Sequence, residues 1–183
     1  MKDQRMTKRM GTRFYLSSFL LATCLVFAAH AADVVSSNGA TEVKVLTAGK
    51  PPLTLDAKTL AGMPHEEVTA SAHDEPASQW RGVKLEDVLA RAGVSLDKPL
   101  HGKALASFVR VTAADQYQVV FGLADLDATL GHTQVLLVDT RDGKPLDKDG
   151  PFRLLVPGDK RPARWVRNVT SIEVVDGGTT ARP

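Results

Sequence analysis

Residues 80–93 read Trp80-Arg81-Gly82-Val83-Lys84-Leu85-Glu86-Asp87-Val88-Leu89-Ala90-Arg91-Ala92-Gly93. Leu85, Val88, Leu89 and Ala92 recur every three or four residues, so they share one face of a helix predicted over Leu85–Ala92. Glu86 and Asp87 lie in its first turn and Arg91 in its last, the arrangement that the helix dipole favours. Gly93 then stops it, because glycine accepts the left-handed conformation that closes a helix.

Around this helix, strand signals dominate. Glu42–Thr47, Ser107–Thr112, Tyr117–Phe121, Gln134–Asp139, Phe152–Val156 and Asn168–Val175 are rich in Val, Ile, Leu and Phe and bounded by turn residues. Asp142-Gly143 is a tight-turn dipeptide, since both residue types tolerate positive φ. A second helix is predicted over Leu55–Ala61, with Asp56 near its start and Gly62 and Pro64 ending it. A third is placed at Gly122–Leu130. Strands with interspersed short helices, and no regular βαβ alternation, predict an α+β fold with mixed sheets.

The first residues have the parts of a secretory signal. Lys2, Arg5, Lys8, Arg9 and Arg13 form a basic region, Phe14 to Ala29 is apolar, and Ala29-His30-Ala31 offers small residues for cleavage. The apolar stretch is too short for a comfortable membrane span. Residues 1–31 are therefore expected to be a signal peptide, 32–41 a flexible leader, 42–176 the domain and 177–183 a frayed tail. Thr23 before Cys24 argues against lipidation, and Met10-Gly11-Thr12 after Lys8-Arg9 falls short of a twin-arginine signal. The expectation is a periplasmic or secreted protein, exported unfolded, with no stable membrane span after cleavage.

Five of the 23 basic and one of the 21 acidic residues fall in residues 1–31, leaving 18 against 20. The basic balance of the whole chain thus belongs to its N-terminus, and nucleic-acid binding has no support. Cys24 is the only cysteine. Once the signal is removed there is no disulfide, no thiolate nucleophile and no cysteine metal ligand.

Several segments come in a telling order. Trp80-Arg81-Gly82-Val83 leads into the helix. Ala114-Asp115-Gln116-Tyr117 precedes a strand, and Asp142-Gly143-Lys144-Pro145-Leu146 comes before Gly150-Pro151-Phe152-Arg153-Leu154-Leu155-Val156-Pro157-Gly158. Arg164-Trp165-Val166 opens the last strand. In this order, from about Glu42 to Val175, the chain resembles the molybdopterin-binding oxidoreductase domain of sulfite oxidases and their bacterial relatives. The resemblance implies a sulfite-oxidase-type fold, a pyranopterin that holds molybdenum, and a cysteine ligand upstream of the Trp-x-Gly-Val segment. Here Ala70 or Ser71 stands near that cysteine's place. Alanine cannot ligate, and a serine oxygen is a harder donor than a thiolate.

The departure favours a non-catalytic descendant of the fold with no cofactor, binding an anionic small molecule or a periplasmic protein partner. The alternative is an active molybdopterin-dependent oxidoreductase with a non-cysteine site. Arg153, Lys160, Arg161 and Arg164, with Arg167, form the most informative cluster, because guanidinium groups suit oxyanions. The competing reading is a solvated loop whose charges balance Asp147, Asp149 and Asp159. His73 lies near the vacated ligand position, and Tyr117 is placed to offer its hydroxyl to a pocket or to pack on a strand. His65-Glu66-Glu67 and His73-Asp74-Glu75 lack the zinc-protease spacing and read as a polar loop, so no metal site is assigned. Trp80 and Trp165 read chiefly as packing residues.

Overall fold

The computed structural model describes residues 41–72 and 75–178. The segments expected to be signal peptide and leader up to residue 40, His73 and Asp74, and residues 179–183 of the expected tail lie outside the described residues. In chain order the elements are β1 (Glu42–Thr47), β2 (Leu53–Asp56), α1 (Ala57–Ala61), β3 (Glu66–Ala70), β4 (Ser78–Lys84), α2 (Leu85–Arg91), β5 (Phe108–Ala113), β6 (Gln118–Gly122), α3 (Leu123–Leu126), β7 (Leu136–Arg141), β8 (Lys144–Pro145), β9 (Arg153–Leu155) and β10 (Val169–Val175). Single 3-10 turns occupy Gly102–Ala106 and Pro162–Arg164.

The strands form two sheets, one mixed and one antiparallel. One has the order β2-β1-β10-β5-β6, and the other β3-β4-β7-β8, with β9 also on β7. Only β1 and β10 pair in parallel; the remaining ladders are antiparallel. The final strand thus sits in the middle of its sheet. Segment 152–155 is bonded on both sides, to β7 and to the approach to β10, through Leu154 N–H to Val166 O at 2.7 Å and Val169 N–H to Phe152 O at 3.0 Å.

The helix that anchors the sequence reading is present, one residue shorter at its end. Gly93 has φ +83°, its N–H donates to Ala90 O, and Val94 N–H donates to Leu89 O. These two bonds close the helix by satisfying carbonyls that would otherwise be orphaned. Upstream, Gly82 lies where β4 changes register against β7. A Cβ there would come 2.4 Å from Leu137 O and 2.5 Å from Val138 Cα. The Trp-x-Gly-Val motif therefore has a steric cause: only glycine lets β4 approach β7 so closely. Asp142 and Gly143, with φ of +50° and +74°, make the tight turn between β7 and β8.

Four strands escape the apolar pattern, the two-residue β8 among them. Glu66–Ala70 is β3 rather than a polar loop: it lies at a sheet edge, exposing Glu67 and Thr69 while Val68 is half-buried and Ala70 buried. Leu53–Asp56 is β2, so Leu55 belongs to a strand and Asp56 caps α1, accepting from Thr59 N–H at 2.7 Å. Ser78–Lys84 is β4, with buried Trp80, Gly82 and Val83 among polar neighbours. The third predicted helix shrinks to the four residues of α3. At the far end, Gly177 is packed so tightly that a Cβ would meet Ala106 O at 2.1 Å.

The core is apolar and continuous. Val43 and Val45 of β1, Val109 and Val111 of β5 and Ile172 of β10 are buried, as is the whole run Leu136-Leu137-Val138 of β7. Each such side chain contributes about 1.5–3 kcal/mol by burial. Trp80 and Trp165 meet edge to face, with centroids 6.1 Å apart and planes at 83°. Their indole N–H groups donate to Ala70 O at 3.2 Å and Val156 O at 2.8 Å, so neither polar atom is stranded.

Candidate functional site

A cleft of about 930 Å³ opens beside this tryptophan pair. The turn from β5 to β6, the segment at Lys148–Asp149, β9 and the stretch from Pro162 to Asn168 line it, with Ala72 and Glu75 at one side. Asn168 ties three of these segments together. It takes φ +50°, its side chain donates to Lys148 O at 3.2 Å, its N–H donates to Asp149 O, and its carbonyl accepts from Ala114 N–H.

Arg153 is the buried charge of this cleft, 8% exposed. Strand β9 fixes it between β7 and Val166, and its guanidinium carbon lies 5.1 Å from the Trp80 ring centre and 5.8 Å from that of Trp165. The guanidinium lies over both rings, whose π faces attract a cation. Asp149 accepts from Arg153 Nη1, while Arg153 Nε is buried without a hydrogen-bond partner. Burial pulls the guanidinium below its usual range, Asp149 opposes that, and Arg167 and Arg141 add to it. Arg167 reaches the same Asp149 at 3.5 Å. One carboxylate thus serves two guanidinium groups.

Of the candidate residues, the structure brings Arg153 and Tyr117 to the cleft. Tyr117 is half exposed, and its hydroxyl donates to Ala163 O at 2.8 Å, joining the cleft's two lips. Lys160 and Arg161 are exposed and lie off the cleft lining. Arg164 turns away to a two-point pair with Asp159, Nε to Oδ2 at 2.9 Å and Nη2 to Oδ1, and lies 4.8 Å over the Phe121 ring. That hydrogen bond raises its pKa. The pairs Asp149–Arg153 and Asp159–Arg164 show the charge balance that the competing reading describes. Ala70 is buried, Ser71 is exposed at the end of β3, and His73 lies outside the described residues.

Sequence reasoning missed Arg141. Its guanidinium carbon stands 4.8 Å from the Trp80 ring centre, with Nε donating to Ser78 Oγ at 2.9 Å and Nη2 to Glu75 at 3.1 Å. In sequence it is only the residue before a hairpin turn, and nothing there pairs it with Trp80. His65 is enclosed, with Nδ1 2.8 Å from Met63 O and Nε2 3.3 Å from Asp139. Among the described residues, no three His, Cys, Asp or Glu side chains converge to hold a metal ion. A smaller pocket of about 310 Å³ lies near Lys84, Glu86 and His132, and its Lys84 is already paired with Glu66 at 2.7 Å.

The crystal structure of the sulfane dehydrogenase SoxCD from Paracoccus pantotrophus is similar, with a TM-score of 0.57 and 20% sequence identity. The match covers 74% of this chain and 38% of that one, so this chain spans well under half the length of its structural neighbour. At that identity the likeness is one of fold. No curated protein matches the chain. The family model for the oxidoreductase molybdopterin binding domain matches residues 31–181, nearly all of the chain, and the protein belongs to that family.

Proposed function

We propose that this protein is exported to the periplasm or cell exterior and binds an anionic small molecule in the cleft, without molybdenum redox chemistry. The observation that carries this reading is Arg153: a buried guanidinium with a free Nε–H, sharing its single carboxylate partner with Arg167. A buried cation whose carboxylate partner is shared with a second guanidinium is under-neutralised, and an oxyanion in the cleft offsets that charge. Lys148 adds a further cation at the rim. A periplasmic protein that presents a carboxylate to the same residues is the other form of this reading.

The family's cofactor is molybdopterin, and the donor set here fits only part of it. Arg153, Arg167 and Lys148 suit an anionic group. The metal half finds no soft donor: Ala70 and Ser71 stand near the place where the resemblance puts the cysteine, and residues 41–183 contain no cysteine. Ser71 would supply only a hard oxygen. Family membership alone favours the second reading, an oxidoreductase with such an oxygen-ligated site.

The full chain, expressed with its leader in a host that makes ample molybdenum cofactor, separates the two. The binding reading expects the processed protein in the periplasmic fraction, colourless, with negligible molybdenum by elemental analysis. Titration with inorganic phosphate or sulfate should give saturable heat that weakens at least tenfold in Arg153→Gln, with unchanged circular dichroism. Stoichiometric molybdenum, or binding indifferent to Arg153, overturns it.

A further inference from the structure

The cleft beside the tryptophan pair carries charge of both signs, and its surplus cations and its unpaired acid sit on different segments. Lys148, Arg153 and Arg167 line it from the loop before β9, β9 itself and the approach to β10. Asn168 draws these segments together through its bonds to Lys148 O and Asp149 O. Asp149 alone answers both Arg153 and Arg167, and among the described residues no carboxylate pairs with Lys148. The opposite sign stands at the turn from β5 to β6. Asp115 lines the same cleft and is exposed. Its Oδ1 accepts from Tyr117 N–H at 3.0 Å, closing a turn in which Gln116 takes φ +70°. Oδ2 is not used in that bond, and among the described residues no cation pairs with this carboxylate within 4.0 Å. Glu75, by contrast, is held by Arg141 at 3.1 Å. Next to Asp115 the half-exposed Tyr117 is fixed by its hydroxyl bond to Ala163 O. Ala113, Pro162, Trp165 and Val166 supply apolar wall.

We propose that the ligand of this cleft is a small zwitterion, whose oxyanion meets Arg153 and Arg167 and whose ammonium group meets Asp115 and the ring of Tyr117. The inference rests on the anion-binding reading and narrows it to one chemical class. A ligand with negative charge alone neutralises the Arg153 end but faces Asp115 with like charge. A cationic group at the other end of an apolar body corrects both imbalances. A carboxylate without a partner beside an exposed aromatic ring is a pairing that an ammonium group favours, through the ion pair and through the ring face. Size agrees with this choice. In a cleft of about 930 Å³ an inorganic oxyanion leaves the apolar wall wet, whereas an organic body covers it.

Titration calorimetry of the purified protein tests this with paired probes: ω-aminoalkyl phosphonates over a series of chain lengths, each beside the plain alkyl phosphonate of the same length. At the length that spans the cleft, the amino member should bind about tenfold tighter than its alkyl twin, the combined effect of an ion pair and a ring contact. Asp115→Asn keeps the oxygen that closes the turn and removes the charge. It should erase that advantage while inorganic phosphate binds at least as tightly, because a like charge has gone. Alkyl twins that match the amino members at every length, or an advantage that survives Asp115→Asn, would overturn the zwitterion and leave the anion site standing. Phosphate binding that weakens in Asp115→Asn would also overturn it, since the residue then acts through the turn. Failure of the unsubstituted protein to bind either phosphate or any phosphonate would instead overturn the anion reading and this inference with it.

Discussion

The guanidinium of Arg153 is held 5.1 Å from the ring centre of Trp80, and Arg141 stands 4.8 Å from the same ring. One indole is thus engaged by two cations, drawn from β9 and from β7. Each cation has its own acid, Asp149 for Arg153 and Glu75 for Arg141. The arrangement couples the tryptophan core to the charge of the cleft, so changes in one are felt in the other.

Replacing Arg153 by Gln should lower stability by about 1–3 kcal/mol in urea unfolding. Breaking a fully buried pair costs about 3–5 kcal/mol, but Asp149 here is partly exposed and keeps Arg167. Arg153→Lys should recover part of the stability and little of the phosphate binding, because an ammonium lacks the planar fork.

Gly82→Ala should be among the most damaging single-methyl additions in the chain. Its Cβ would fall 2.4 Å from Leu137 O, a backbone atom that cannot rotate aside. Overpacking of this kind costs about 1–3 kcal/mol or more. The loss should appear as a lower urea midpoint with an unchanged slope.

Trp165→Phe keeps an aromatic ring but removes the indole donor to Val156 O at 2.8 Å, leaving that carbonyl with Asp159 N–H at 3.1 Å. Because the acceptor keeps one donor, the loss is that of a single hydrogen bond, about 0.5–1.5 kcal/mol. Thermal unfolding of this variant, beside Trp80→Phe, would show whether the two losses are independent. The edge-to-face contact at 6.1 Å predicts that they are not additive.

Acid should weaken the fold in part through Asp127. Its carboxylate accepts from the Thr129 hydroxyl at 2.6 Å, Thr129 N–H at 2.7 Å and Leu100 N–H at 3.1 Å. The Thr129 bonds hold its pKa below the usual carboxylate value, which for a free Asp is about 3.9. The unfolded chain therefore takes up this proton first as the pH falls. The stabilisation is complete above the unfolded value and is lost as the pH drops through the folded one. Asp127→Asn should be less stable at neutral pH and show a shallower decline in melting temperature below about pH 4.

The parts of the fold legible in the sequence are those where apolar residues set the period. Val43 and Val45 of β1, the Leu136–Val138 run of β7 and the face of α2 are all buried, as their spacing demands. β3 escaped because Glu66-Glu67-Val68-Thr69-Ala70 is an edge strand with one solvated face, which composition alone cannot tell from a loop. β4 escaped because its Arg81, Gly82 and Lys84 conceal the inward-facing Ser78 and Trp80. At the site, the importance of Arg153 was readable from residue type, whereas Lys160, Arg161 and Arg164 looked equivalent in sequence. What separates them is tertiary: Arg153 sits on a strand bonded along both edges, and the others on a turn where Asp159 and solvent compete for them.

β10, the last strand in the chain, separates β1 from β5 in its sheet. A polypeptide emerging from its N-terminus can form the β5–β6 hairpin early, but β1 has no partner beyond β2 until residues 169–175 arrive. The halves of the sheet are joined only once residues 169–175 are available, so this domain cannot complete its sheet from its earlier strands alone. Any truncation ahead of Val169 would divide the sheet through its centre, leaving β1 and β5 with bare edges and no partially built domain to fall back on.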